Sequence, residues 1–220
     1  MDKGFTGPTW GWPNDHIKID GAQVIYKHLD GTPDDYGNPS FDFNIPIDLD
    51  LACRLVADHW YVKYQELGED DKWHYVKLED GRAVDSRLPG WDPRETHHEN
   101  GRYLIKVKID FEPRSERAKA SEVFMVTLDG DRHNTVKLSK ALMDTYDDPE
   151  RENLLQSSKI EFCDIDIKPG WWEKEQLFTC KVDRVFFVIK KDEFGQKWLS
   201  NDEPEPMPID EDDSEEVPFN

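Results

Sequence analysis

Tyr103-Leu104-Ile105-Lys106-Val107-Lys108-Ile109-Asp110-Phe111 decides the fold class of this chain. Every odd position is apolar, and the even positions include Lys106, Lys108 and Asp110. Successive side chains of a strand point to opposite faces, so a period of two describes a half-buried β-strand whose solvated face presents Lys106 and Lys108. Working outward, Ser40 to Ile47 has the same period. There Phe41, Phe43, Ile45 and Ile47 point one way, and Ser40, Asp42 and Asn44 the other. Further strands are expected at Ala22–Tyr26 and at Glu122–Leu128, the latter turning at Asp129-Gly130-Asp131. Lys159–Lys168 and Gln176–Lys190 form a long hairpin, with Pro169-Gly170 as the turn and Trp171-Trp172 at its tip.

Helical signals are few. Asp48 or Asp50 can N-cap a helix running to about Leu67, with Gly68 as its stop and Leu51, Leu55, His59 and Val62 as its packed stripe. Ser139 to Gln156 also reads as helical, broken at Asp147-Asp148-Pro149. Gly68 to Asn100 is a polar excursion with a short hairpin at Asp80-Gly81. The fold class is therefore mainly β: a small antiparallel barrel of five to six strands with one or two helices and long loop insertions. The chain divides into an N-terminal arm (1–21), a barrel domain (22–198) and a disordered acidic tail (199–220).

The formal net charge is -20, from 48 acidic against 28 basic residues. Nine of the acids lie in 201–220, where there is no Lys or Arg, yet the rest of the chain is still acidic. Nonspecific coating of duplex DNA is disfavoured, because phosphate affinity needs local positive charge. A local basic groove is not, since charges beyond a Debye length of roughly 8 Å are screened. Three cysteines without a C-x-x-C pair suggest buried thiols in a reducing compartment, and no apolar run is long enough to cross a bilayer, so a cytoplasmic, non-membrane protein is expected.

The sequence has no phosphate-cradling glycine loop, H-E-x-x-H or G-x-S-x-G, and the expectation is a protein that is not an enzyme and needs no cofactor or metal. Asp164 and Asp166 share one face of a strand and could hold Mg2+ in a nuclease, but they read more simply as a solvated strand face. His97-His98-Glu99 has poor geometry for a closed metal site. Binding is better signalled. An unpaired nucleic acid strand is held by positive charge together with aromatic faces on which bases stack. Lys106 and Lys108 supply adjacent charges, and Trp171-Trp172 supplies the rings. Lys181 and Arg184 lie on the late hairpin strand; their spacing points them to opposite faces, so at most one joins the groove. Trp10, Trp12, Trp73 and Trp91 lie in irregular segments.

The tail places Asp212, Asp213, Glu215 and Glu216 immediately before Val217-Pro218-Phe219-Asn220, an acidic run ending in an apolar hook. Together with Tyr36-Gly37-Asn38-Pro39 leading into the strand 41–47, the Lys106/Lys108 strand and the Trp171-Trp172 hairpin, this order of parts resembles the single-stranded DNA-binding proteins of tailed bacteriophages, which are built on an OB-fold. The resemblance implies sequence-nonspecific coating of single-stranded DNA in phage replication and recombination, within the host cytoplasm. Lys106, Lys108 and Trp171 or Trp172 would then contact DNA. The acidic tail with Pro218-Phe219 would engage replication proteins (polymerase, helicase or primase) and compete with DNA for the groove. A homodimer stays open. Rival readings are an acidic DNA mimic that inhibits a host nuclease, a metal-dependent nuclease using Asp164 and Asp166, and a virion component.

Overall fold

A computed structural model of the chain describes residues 13, 16–34, 37–113, 118–129, 132–146, 148 and 153–190. The strands are β1 (Ile17–Ala22), β2 (Ile25–His28), β3 (Phe41–Ile47), β4 (Lys63–Leu67), β5 (Trp73–Tyr75), β6 (Gly101–Ile109), β7 (Glu122–Asp129), β8 (Arg132–Leu138), β9 (Ile160–Trp172) and β10 (Leu177–Lys190). Among the described residues three helices accompany them: α1 (Leu49–Ala57), α2 (Lys140–Met143) and α3 (Leu154–Ser157). The protein is mainly β, as expected, but the ten strands make one mixed, open sheet in the order β1-β9-β10-β6-β3-β2. β4 and β5 attach beside β6, and β7 and β8 beside β10.

The alternating stretch, now β6, is at the centre. Its odd residues join Phe41, Phe43 and Ile45 of the antiparallel β3 in one apolar interior, through the register Phe43↔Val107 and Ile45↔Ile105. β10 is too long for one neighbour. Its first part runs parallel to β6 (Cys180↔Val107, Lys181↔Lys108) and its second part runs parallel to β7 from Arg184 to Lys190, while β9 lines its other side. These two parallel pairings, and a strand count of ten, correct the expectation of a five- to six-stranded antiparallel barrel. Phe43 and Phe187, both fully buried, meet edge to face at 5.3 Å across the interior. Cys163 and Cys180 lie in the same core, where burial pushes both thiols up to about 12.

Asp48 caps α1, its Oδ1 accepting from the Leu51 N–H at 2.7 Å. The helix stops at Ala57, ten residues short of the expected end. His59 takes a left-handed φ of 62° and is exposed, not packed in a helical stripe, and Trp60 turns into the core. Residues 63–67 then extend as β4, because the first half of β6 has an unpaired edge that they fill. The expected strand at 22–26 is split between β1 and β2 around Gln23 and Val24. The helical stretch expected over 139–156 reduces to the four-residue α2 and α3, and its break at 147 and 149 lies outside the described residues. β3 is buried on both faces over Phe41–Ile45, not half-buried: beyond the core face, Asp42 is covered by Lys106, His28 and the Ser40 hydroxyl, and Asn44 beside it is buried too.

The Asp80-Gly81 turn is present, closed by the Leu78 N–H to the Arg82 carbonyl. The long hairpin is also present, but its turn is Glu173–Gln176, not Pro169-Gly170. Pro169 and Gly170 stay in β9, opposite Cys180 and Thr179. β1 pairs with β9 only as far as Ile167, so among the described residues β9 has no second neighbour at Pro169 and its missing N–H breaks no ladder.

Candidate nucleic-acid interface

The face of β6 opposite the core carries Arg102, Leu104, Lys106 and Lys108 at two-residue intervals. β10 continues that face with Thr179 and Lys181, since Lys181 pairs with Lys108, and β9 adds Lys168 and Trp172. Between the end of the β9–β10 hairpin and this sheet lies a cleft of about 360 Å3. Its walls are Tyr61, Trp171 and Trp172, and its rim is Lys106, Lys108 and Lys181, with Thr179 and Cys180 between them. The structure thus brings together five of the six DNA-binding candidates.

The two tryptophans divide the work by strand alternation. Trp171 turns toward the core and packs on Phe178, centroids 5.3 Å apart. Trp172 faces the other way, its ring edge-to-face with Tyr61 at 5.5 Å. Both remain half-buried with surface on the cleft. Gly170 keeps the floor low. A Cβ there would lie 2.8 Å from Lys181 Cε and 2.8 Å from Thr179 Oγ1, so the Lys181 stem crosses β9 only because residue 170 has no side chain.

The cations differ in availability. Lys106 Nζ sits 2.9 Å from the buried carboxylate of Asp42, which His28 approaches at 3.5 Å. Lys181 Nζ sits 2.9 Å from Asp110. Lys108 is exposed and makes no ion pair among the described residues. The Lys181–Asp110 pair is partly exposed on both sides and weak, so Lys181 can exchange its carboxylate for a phosphate at small cost, whereas Lys106 neutralises a buried carboxylate and reaches a phosphate only while keeping that contact. A second cleft of about 600 Å3 shares Lys108 and Lys181 but is also lined by Asp34, Asp110 and Glu112, and its Lys140 is held by Glu112 at 2.7 Å. Those acids make it the poorer place for a polyanion.

Arg184 stands apart. Spacing alone sends Lys181 and Arg184 to opposite faces, but a bulge between Val182 and Arg184 changes the parity of β10. Val182 and Val185 are both core residues, so Lys181 and Arg184 end on the same face. Arg184 is nevertheless outside the cleft, its Nε and Nη2 both donating to Glu122 Oε2 at 3.0 and 2.8 Å. The suggested nuclease pair is engaged separately: Asp164 Oδ1 accepts from the Gly21 N–H at 2.8 Å, and Asp166 contacts His16 Nδ1 at 2.9 Å. His16, Asp166 and Asp183 have ligand atoms within 4.8 Å of one another, but the Lys168 ammonium already lies 3.1 Å from Asp183. His97 stacks on Tyr103. Trp10, Trp12, Tyr36 and the tail candidates Asp212, Asp213, Glu215, Glu216, Pro218 and Phe219 lie outside the described residues.

Several residues at the site were not singled out from sequence. Tyr61 forms one wall of the cleft, with burial, then the Asp85 carboxylate, raising the pKa of its phenol. Arg87 lies over the Tyr61 ring at 5.4 Å while chelating Asp85. Lys63, Trp73, Tyr75, Arg102 and Tyr26 extend the aromatic and cationic surface along β4, β5 and β2. The usable signal was the alternation of Tyr61 and Lys63, which a helical reading of 48–67 hides.

No protein-family model, curated protein or solved structure matches the chain. Among the described residues no helix is long and apolar enough to cross a membrane.

Proposed function

We propose that the protein binds single-stranded DNA without sequence preference, holding the unpaired strand in the cleft between the β9–β10 hairpin and the outer face of β6. The observation that carries this reading is the gathering of Tyr61, Trp171 and Trp172 with Lys106, Lys108 and Lys181 around one open cleft of an otherwise acidic molecule. Phosphates meet the lysine rim and bases stack on the indoles, which is how sequence-tolerant binders work. A closed barrel is not required for this function: the open mixed sheet already gathers β3, β6, β9 and β10 around one apolar interior. The biological setting proposed is phage replication and recombination in the host cytoplasm. There the acidic tail, ending in Pro218-Phe219, recruits replication proteins and competes with DNA for the groove. Tethering gives such a tail a local concentration on the order of millimolar.

The test is a titration of intrinsic tryptophan fluorescence with oligo-dT at low and high salt, with and without Mg2+. Quenching that salt reverses is expected, and deletion of residues 201–220 tightens the binding. No response favours an acidic DNA mimic, breakdown of the oligonucleotide favours a nuclease, and unchanged affinity after truncation removes the competition by the tail.

A further inference from the structure

The ring-and-cation surface does not end at Tyr61. Lys63 follows it on β4, with its ammonium 5.8 Å from the Tyr61 ring centroid and 5.4 Å from that of Tyr75. Arg102 sits next along the same face, opposite Gln65, its guanidinium 3.9 Å over the Trp73 ring and 5.5 Å from that of Tyr26. We propose that the bound strand continues from the cleft across β4 and β5 to a second subsite, where Lys63 and Arg102 take a further phosphate and Tyr75 and Tyr26 stack further bases. This extension rests on the single-strand reading of the cleft.

Charge is the first reason. Lys63 and Arg102 are half-buried, and burial lowers the basicity of both; at Lys63 the neighbouring Lys106 adds to the effect, while Asp42 and Asp85 oppose it from beyond ion-pair distance. Neither has a carboxylate within ion-pair reach among the described residues, although acids outnumber bases by 48 to 28. Elsewhere the same protein pairs its cations readily, as at Arg82–Asp80, Arg87–Asp85 and Arg184–Glu122. A cation partly withdrawn from water with no carboxylate in direct contact is costly, and ring faces together with the more distant Asp42 and Asp85 offset only part of that cost. An arriving phosphate supplies what is missing. Arg102 Nε and Nη2 donate to Gln65 Oε1, and Nη2 also to Tyr26 Oη, while Nη1 has no partner among the described residues and can donate outward.

Exposure is the second. Tyr75 is 41% and Tyr26 46% exposed, two of the few large rings of the described residues left open to solvent. Tyr26 adopts a left-handed φ of 47°, a conformation aromatic residues avoid, and its hydroxyl accepts from Arg102 at 2.8 Å. The chain thus holds an exposed ring beside an unpaired guanidinium in an unfavourable backbone geometry. Continuity is the third. Trp172, Tyr61, Lys63 and Tyr75 are in successive contact. Lys106 and Arg102 are four residues apart on one strand, roughly 13 Å. An occupant that alternates flat rings and negative charges at short intervals fits this row, and an unpaired nucleic acid strand has that composition.

Binding is measured by fluorescence anisotropy with labelled oligo-dT of about 6 and about 16 nucleotides, the range covered by a single OB domain. Wild type, Tyr75→Ala and Arg102→Gln are compared, with thermal melts to verify folding. Both variants are expected to bind the long oligonucleotide roughly 5-fold or more weakly than wild type, and the short one equally well. If wild type binds both lengths and neither variant differs from it, the second subsite is wrong and the cleft stands. Equal loss on both lengths also overturns a separate subsite. If wild type binds neither, the extension and the proposed function fall together. Should Tyr75→Ala fail to fold, Arg102→Gln decides.

Discussion

Trp172→Ala is expected to weaken binding to oligo-dT by roughly 5- to 150-fold, the equivalent of one lost base stack of about 1–3 kcal/mol. The thermal midpoint should stay near that of wild type. The Trp172 ring faces away from the apolar interior, and its ring contact is the edge of Tyr61, so its removal opens no core cavity. Trp172→Phe should recover much of the loss, because a phenyl ring still offers a stacking face. Anisotropy titrations of the three proteins, beside melting curves, check both halves. A Trp172→Ala protein that binds as wild type does would remove the indole from the site.

Trp171→Ala should behave differently although it is the adjacent residue. Trp171 points inward against Phe178 and joins the periphery of the core. Its truncation leaves a void beside a fully buried ring, costing about 3 kcal/mol, the low end of the range for a buried tryptophan. Against a typical domain stability of about 5–15 kcal/mol, that is a large fraction. Urea denaturation measures it, and affinity should fall as well, because the same ring lines the cleft. Equal stability of Trp171→Ala and wild type would contradict the inward packing. The pair therefore separates a stacking ring from a ring that supports it.

The contrast between these neighbours shows where sequence was informative. The period of two in 103–111 was sufficient to assign β6, to divide its faces and to expose Lys106 and Lys108, because a central strand with one buried face leaves a clean pattern. The Trp pair was visible too, and Asp48 marked the start of α1 correctly. What stayed hidden depends on partners distant in sequence. The stretch 63–67 becomes a strand only because β6 offers it an edge, and that folding places Lys63 beside Tyr61, which walls the cleft. Pro169-Gly170 reads as a turn, yet Pro is tolerated there because β1 stops pairing two residues earlier. The facing of Lys181 and Arg184 was misjudged because one extra residue in β10 reverses the alternation, and no local pattern announces a bulge. Nothing in the spacing of Tyr26, Trp73, Tyr75 and Arg102 shows that they meet; strand pairing alone brings them together.

Electrostatics decides whether this cleft does what its composition suits it for. Each phosphate neutralised on an unpaired strand contributes about 0.7 to the slope of log affinity against log salt. Lys106, Lys108 and Lys181 together therefore account for a slope of about 2. The most direct measurement is the salt dependence of oligo-dT affinity for wild type and for the triple variant Lys106→Ala/Lys108→Ala/Lys181→Ala. A slope shallower by about 2 in the variant is the predicted result. Parallel lines, with equal slopes for the two proteins, would contradict it and place the DNA, if any is bound, elsewhere on the molecule.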